Sequence, residues 1–236
     1  VLISCIITLG NLPERMFTSQ SKPQKQSYDH RHHIELIAQA SDRAVLGCEI
    51  LCRSDPFPET LPDWIDWITH LVELANQTAT PDYFASINVD GWNLHHPQIM
   101  NILQKLTGDA VVEWTERPDK HSTRKTALKL RELQAKTGVR LSIDDVGAGI
   151  DGIQRILLVE PDFIKIDGQI IQEATINQNP MAFAAIDSLL NLAQKAGALA
   201  VAEWIESEIE WEVCKKCGID LVQGYYVQKS CNIQNI

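Results

Sequence analysis

The sequence predicts an α/β protein built as a TIM-like (β/α)8 barrel, and three observations predict it. Short apolar runs alternate with amphipathic helical stretches along the chain. There are about eight such runs, enough to close a barrel rather than leave an open sheet. A chemically active side chain also stands at or near the C-terminal end of strand after strand, on the rim where this architecture builds its sites.

Residues 1–30 read as a peripheral N-terminal segment, because 19–27 is polar, contains Pro23 and has no periodic apolar face. Residues 31–236 read as the barrel domain. Its strands are predicted over 33–37, 45–51, 84–89, 110–114, 139–143, 163–166, 199–203 and 219–222. Between them, 123–136 carries Ala127, Leu130 and Leu133 at helical spacing, with Gly138 as a stop. The stretch 181–196 carries Ala182, Ala185, Ile186, Leu189 and Ala193 before Gly197. Buried-type strands alternating with helices imply a parallel sheet covered by helices. Trp64 and Trp67 fall on a helix as packing residues, and His95-His96-Pro97 reads as a loop or helix start. His30, His32 and His33 read as a solvated polar stretch, with a metal site as the sharper alternative.

Composition narrows the function classes. The 236 residues are 44% hydrophobic and 22% charged, ordinary for a globular domain, and carry a formal net charge of -10. Such an acidic chain is poorly suited to bind a DNA or RNA polymer without sequence preference. An anionic phosphate substrate would need positive charge from elsewhere, and bound metal ions supply it. The six cysteines form no disulfide framework, which predicts a cytoplasmic protein with free thiols. Cys214 and Cys217 have CxxC spacing in a helical stretch over 209–216; two helix cysteines is the plain reading, redox or metal binding the sharper one. No apolar run reaches the length of a membrane span, and the short apolar stretch 1–9 lacks the basic flank of a signal peptide.

The rim series is Glu49, Asn88, Glu113, Asp144 with Asp145, Lys165 with Asp167, Glu203 and Gln223. Charges inside a barrel are costly unless paired or bound to metal, so a run of them along successive strand ends is hard to explain by core packing. The series holds carboxylates, an asparagine, a glutamine and a lysine but no histidine, a donor set that suits Mg²⁺, Mn²⁺ or Ca²⁺ better than zinc. Adjacent Asp144 and Asp145 could bridge two ions about 3.5–4 Å apart, the device for in-line phosphodiester hydrolysis. A lysine beside the phosphorus would hold the water or offset developing charge.

In order along the chain, Glu49-Ile-Leu51-Cys-Arg53, Ser-Ile-Asn88-Val, Glu113-Trp-Thr-Glu116, Asp144-Asp145-Val-Gly147-Ala-Gly149, Ile164-Lys165-Ile-Asp167, Ala202-Glu203-Trp-Ile-Glu206-Ser and Gln223-Gly224-Tyr225 resemble the motifs of the EAL-domain phosphodiesterases, which cut cyclic di-GMP. The resemblance implies that Glu49, Asn88, Glu113 and Asp144 hold one Mg²⁺ or Mn²⁺ ion and Asp145 a second, Asp144 bridging. It implies that Lys165 and Glu203 position water and assist proton transfer, and that Arg53 and Gln223 contact or support the nucleotide. Glu116, Asp167 and Glu206 would support the site or anchor loops. Ca²⁺ is expected to inhibit. The family's members are cytoplasmic or membrane-tethered and often dimeric.

The chain departs from the family pattern at Val146, Ala148 and Asp151-Gly152, and Trp204 stands where a glycine is usual. The alternative function is a non-catalytic EAL module acting as a cyclic di-GMP receptor or protein-interaction regulator. Gly147-Ala-Gly149-Ile-Asp-Gly152 also fits the dinucleotide fingerprint, but two aspartates just before the glycines would repel a pyrophosphate unless metals intervened. For Glu113 and Glu116 the plain reading is a strand-end salt bridge.

Overall fold

The computed structural model describes residues 30–231 except Asp55, 118–119 and Ile150. The segment expected to be peripheral thus lies, up to residue 29, outside the described residues. Strands β1 (His32–Gln39), β2 (Val45–Cys52), β3 (Phe84–Val89), β4 (Ala110–Trp114), β5 (Arg140–Val146), β6 (Phe163–Ile166), β7 (Leu199–Ala202) and β8 (Leu221–Gln223) pair in sequence order and close into a barrel.

From β2 to β8 every neighbouring pair is parallel. β1 is not: it runs antiparallel to both β2 and β8, which corrects the wholly parallel sheet expected from the sequence. The reason is length. Residues 40–44 link β1 to β2, and a parallel crossover needs a dozen or more. The link is a turn in which Arg43 adopts φ 67° and the Asp42 carboxylate accepts from Ala44 N at 3.0 Å.

Helices cover the outside, and their ends follow local chemistry. α1 (Leu61–Thr78) starts at a Thr60/Asp63 capping box and turns Trp67, Ile68, Leu71 and Ala75 inward. Between β3 and β4 the chain fits only the short helices α2 (Gly91–His95) and α3 (Pro97–Leu103). α4 (Thr123–Thr137) ends on left-handed Gly138, as expected from its spacing. α5 (Gly152–Val159) and α6 (Gly168–Thr175) follow β5 and β6. α7 (Pro180–Ala196) ends on Gly197, α8 (Glu208–Cys217) runs from a Ser207/Glu210 capping box to Gly218, and α9 (Tyr225–Ser230) closes the described chain. None of these helices is long and apolar enough to cross a membrane.

Strand periodicity divides the barrel interior in two. Ile37, Phe84, Val111, Phe163, Val201 and Leu221 form an apolar plug at the N-terminal end. Phe84 and Phe163 meet with ring centroids 5.0 Å apart, and the Arg140 guanidinium covers both at 5.1 and 5.2 Å. Gly47 makes room for the plug, since a Cβ there would come within 2.5 Å of Phe84 Cδ2. Each buried plug residue contributes roughly 1.5–3 kcal/mol. Outward-facing Ile50, Ile87, Val112, Ile143 and Ile164 join the larger core with the helices.

Cys214 is buried and Cys217 half-buried on α8, and burial raises both thiols, Cys214 to about 12. Both are kept protonated, the state of inert thiols. The His30 ring stacks on His70 of α1 with centroids 4.6 Å apart and pairs with Asp66 at 3.0 Å.

Candidate active site

Two residues beyond four of the plug positions, and beyond Gly47 beside them, the same strand face reaches the C-terminal rim. Val111 leads to Glu113, Phe163 to Lys165, Val201 to Glu203, Leu221 to Gln223 and Gly47 to Glu49. The period of two that buries the plug therefore also aims these groups at one point. On β5 the pairing with β6 is interrupted between Ile143 and Val146, and Asp145 takes φ +53°. This irregularity brings both Asp144 and Asp145 to the rim.

Lys165 lies at the centre. Its Nζ is 2.9 Å from Glu49, 2.8 Å from Glu113, 3.1 Å from Asp144 and 2.9 Å from Glu203. Asn88 Nδ2 donates to Glu49 Oε1, and Gln223 Nε2 donates to Glu49 Oε2 at 2.6 Å and to Glu35 at 3.3 Å. The structure thus brings Glu49, Asn88, Glu113, Asp144, Lys165, Glu203 and Gln223 together. Asp145 joins through Asp144 and Glu203, the three offering carboxylate oxygens within 4.8 Å of one another.

The remaining predicted residues stand around this centre. Arg53, at the end of β2, is half-exposed, donates to Cys52 O at 3.1 Å and lies 3.8 Å from Glu35. Asp167 caps α6 by accepting from Gln169 N at 2.7 Å. Glu116 pairs with Arg155 at 2.9 Å and presses on Gly149, where a Cβ would collide with its carboxylate. Glu206 is exposed, and its backbone N is held by Glu210 Oε2 at 2.7 Å.

Three contributors escaped the sequence reading. Glu210 binds the amides of Glu206 and Ser207 and so fixes the loop after Glu203; the signal was legible as Ser207-x-x-Glu210, a capping box. Arg155, 1% exposed on α5, donates to Trp114 O at 2.9 Å, Asp144 O at 3.0 Å and Glu116, tying β4 to β5 below the acids. Nothing in its sequence context marks it, because a charge in a helix normally faces water. Glu35 on β1 reaches Gln223, and only the antiparallel register of β1 sets it opposite Glu49.

Five carboxylates around one ammonium do not all ionise freely. Burial, aided by the Glu49 and Asp144 charges, pushes Glu113 up to about 8 although Lys165 opposes it. Burial and Asp144 raise Asp145 to about 6. Burial also holds Glu203 well above the usual carboxylate range. Glu49 is buried too, but Lys165, Gln223 and Asn88 outweigh that cost and keep it low. Lys165 stays charged because Asp144, Glu113, Glu203 and Glu49 outweigh its burial.

The donor set fits a hard cation. Asn88 Oδ1, Glu203 Oε2 and Gln223 Oε1 are buried and accept no hydrogen bond from the protein. They lie among carboxylate oxygens, with no histidine or thiol in the set.

Residues 65–230, which take in β3 to β8 and the rim from Asn88 to Gln223, match the EAL domain family model. The chain belongs to the EAL-domain family. Among curated EAL relatives, the probable cyclic di-GMP phosphodiesterase PdeI of Escherichia coli K12 is 28% identical over 222 residues, covering 82% of this chain and 28% of that protein. The cyclic di-GMP phosphodiesterase PdeL of the same organism is 28% identical over 228 residues, covering 85% of this chain and 62% of that one. PdeF, also from that organism, is 33% identical over 119 residues, 50% of this chain and 16% of its own length. The chain thus spans less than two thirds of each.

Solved EAL structures share the fold. The EAL enzyme Bd1971, bound to cAMP and cyclic di-GMP, superposes with a TM-score of 0.71 at 21% identity, covering 84% of this chain and 61% of its own. The EAL domain of Mycobacterium smegmatis DcpA gives 0.68 at 21% identity, covering 83% and 88%.

Proposed function

We propose that this EAL domain hydrolyses cyclic di-GMP to the linear dinucleotide with the help of divalent cations, in bacterial second-messenger signalling. The observation that carries the reading is the convergence of Glu49, Glu113, Asp144 and Glu203 within 3.1 Å of Lys165 Nζ. The choice of substrate is supported by two relatives, PdeF and PdeL, both named cyclic di-GMP phosphodiesterases. We read 31–236 as the phosphodiesterase unit, with 1–30 outside it.

Glu49, Asn88, Glu113 and Asp144 are the residues that would hold one Mg²⁺ or Mn²⁺ ion and Asp145, sharing Asp144, a second; bound there, the ions supply Lewis acidity toward the phosphoryl oxygens and a lowered pKa for water. Lys165 offsets negative charge as it builds on the attacked phosphate. Glu203, which keeps its proton to higher pH than a free carboxyl, exchanges a proton with the reacting oxygens. Gln223 steadies the Glu49 carboxylate, and Arg53, at the rim, meets the nucleotide's phosphate or base edge.

The test is hydrolysis of cyclic di-GMP by purified protein with Mg²⁺ or Mn²⁺ and then with chelator. Chelator-sensitive linear product is the expected result, and its absence at high enzyme concentration removes the catalytic reading. A second reading, a non-catalytic receptor, is motivated by the altered loop after Asp145, with Val146, Ala148 and Asp151-Gly152 departing from the family pattern. Binding without product would select it.

A further inference from the structure

Trp204 directly follows Glu203 and stands 48% exposed on the rim. Its backbone has φ +56°, the left-handed region that costs a bulky residue free energy. The residues on either side are fixed. Glu203 reaches Lys165 at 2.9 Å. Ile205 is fully buried, its N donating to Gln223 O at 3.0 Å and its O accepting from Tyr226 N at 2.8 Å. Gly224, at φ +146°, lets the β8 end press against the Ile205 backbone. With both neighbours turned inward, the indole is held outward beside the acids.

The indole also has a seat. A Cβ on Gly168 would come within 2.5 Å of Trp204 Cβ and Cγ and 2.7 Å of Cδ2, so the side chain lies directly on the Gly168 backbone. The side chain is thus backed by main chain and still has about half its surface in water. A large apolar group kept in a strained conformation and left half in water adds little to the core, so the strain is better explained by what the indole meets in solution. A rigid, flat, exposed π-face suits a planar aromatic ligand, and nucleic-acid bases stack on such faces.

We propose that Trp204 is a stacking platform for one purine base of the substrate, a specificity-determining residue in a chain whose family usually carries glycine there. The proposal rests on the functional reading above and adds a contact to it. Trp204 contributes binding and orientation, Glu203 and Lys165 the chemistry.

The test uses the full chain, with cyclic di-GMP as the probe in Ca²⁺ buffer, titrated calorimetrically. Trp204→Ala is expected to weaken binding on the order of tenfold to a hundredfold and Trp204→Phe only a few-fold. In turnover, Trp204→Ala raises KM with kcat nearly unchanged. Trp204→Gly relieves the left-handed strain, so its Tm should equal or exceed the parent's while its affinity falls. A purely structural role would instead lower Tm and spare affinity, and that result overturns the platform. Equal affinity of parent and Trp204→Ala sinks the platform alone, whereas absence of binding by the parent chain sinks the functional reading and the platform with it.

Discussion

Lys165 and Glu49 lie 116 positions apart in the chain, on β6 and β2, and meet at 2.9 Å across the barrel. Both are almost fully buried; Glu49 depends on Lys165 for its charge, and Lys165 on Asp144, Glu113 and Glu203 ahead of Glu49. Replacing Lys165 by Met would leave four carboxylates without their shared cation. In chelator this variant should lose about 3–5 kcal/mol of stability, the cost of breaking a buried ion pair from one side. Mn²⁺ should restore much of that loss without restoring turnover. Urea denaturation with and without Mn²⁺ checks it, and an unchanged midpoint in chelator would show that the carboxylates need no counter-charge.

The acids themselves separate fold from chemistry. Glu49→Ala and Asp144→Ala should each abolish turnover while leaving the circular dichroism spectrum intact. Near-native hydrolysis by either variant would remove it from the metal-holding set. Replacing Mg²⁺ by Ca²⁺ should also inhibit, because Ca²⁺ accepts oxygen ligands in a looser geometry. Equal rates with both ions would refute this.

Stability should fall with pH when metal is removed. Glu113 titrates at about 8 in the fold against 4.5 ordinarily, and Asp145 at about 6 against 3.8. Between those values the folded chain holds protons that the unfolded chain has released, so raising pH favours unfolding. The loss should span roughly pH 4 to 8, and Mn²⁺ should stabilise more strongly toward its upper end as those protons are displaced. Tm measured across that range in chelator and in Mn²⁺ tests the sign; a Tm in chelator that rises over the window contradicts it.

Arg155 holds the backbone of Asp144 and Trp114 from behind. Arg155→Met should cost about 3 kcal/mol or more, since it leaves the partly buried Glu116 without its cation. It should also weaken Mn²⁺ binding by shifting Asp144. Arg155→Lys, which keeps charge but not the fork, should recover stability better than Mn²⁺ affinity. Calorimetric titration of folded variants separates the two effects, and equal Mn²⁺ affinity in all three proteins would confine Arg155 to a structural role.

Much of this was legible in the sequence because a strand has only two faces. Once Phe163 and Val111 are inside, Lys165 and Glu113 must be inside too, and the rim can be read off in steps of two. Helix ends at Gly138 and Gly197 were equally plain, because left-handed backbone favours glycine. The direction of β1 was not legible from hydrophobicity, which is the same for either direction, and only the short 40–44 link decides it. Arg155 and Glu35 were hidden for a related reason: their partners, Asp144 O and Gln223, are set by tertiary register and not by local pattern.

The reversed first strand also settles how the barrel is wired. Because β1 runs against its neighbours, His32 lies opposite Cys52 at the acidic rim, and the Arg31 carbonyl accepts from Arg53 N at 2.8 Å. The polypeptide therefore enters through the mouth of the site instead of from the closed end beneath it. Arg31, at the start of the described barrel, is thus one backbone hydrogen bond away from Arg53, and the apolar plug lies at the opposite end of the strands.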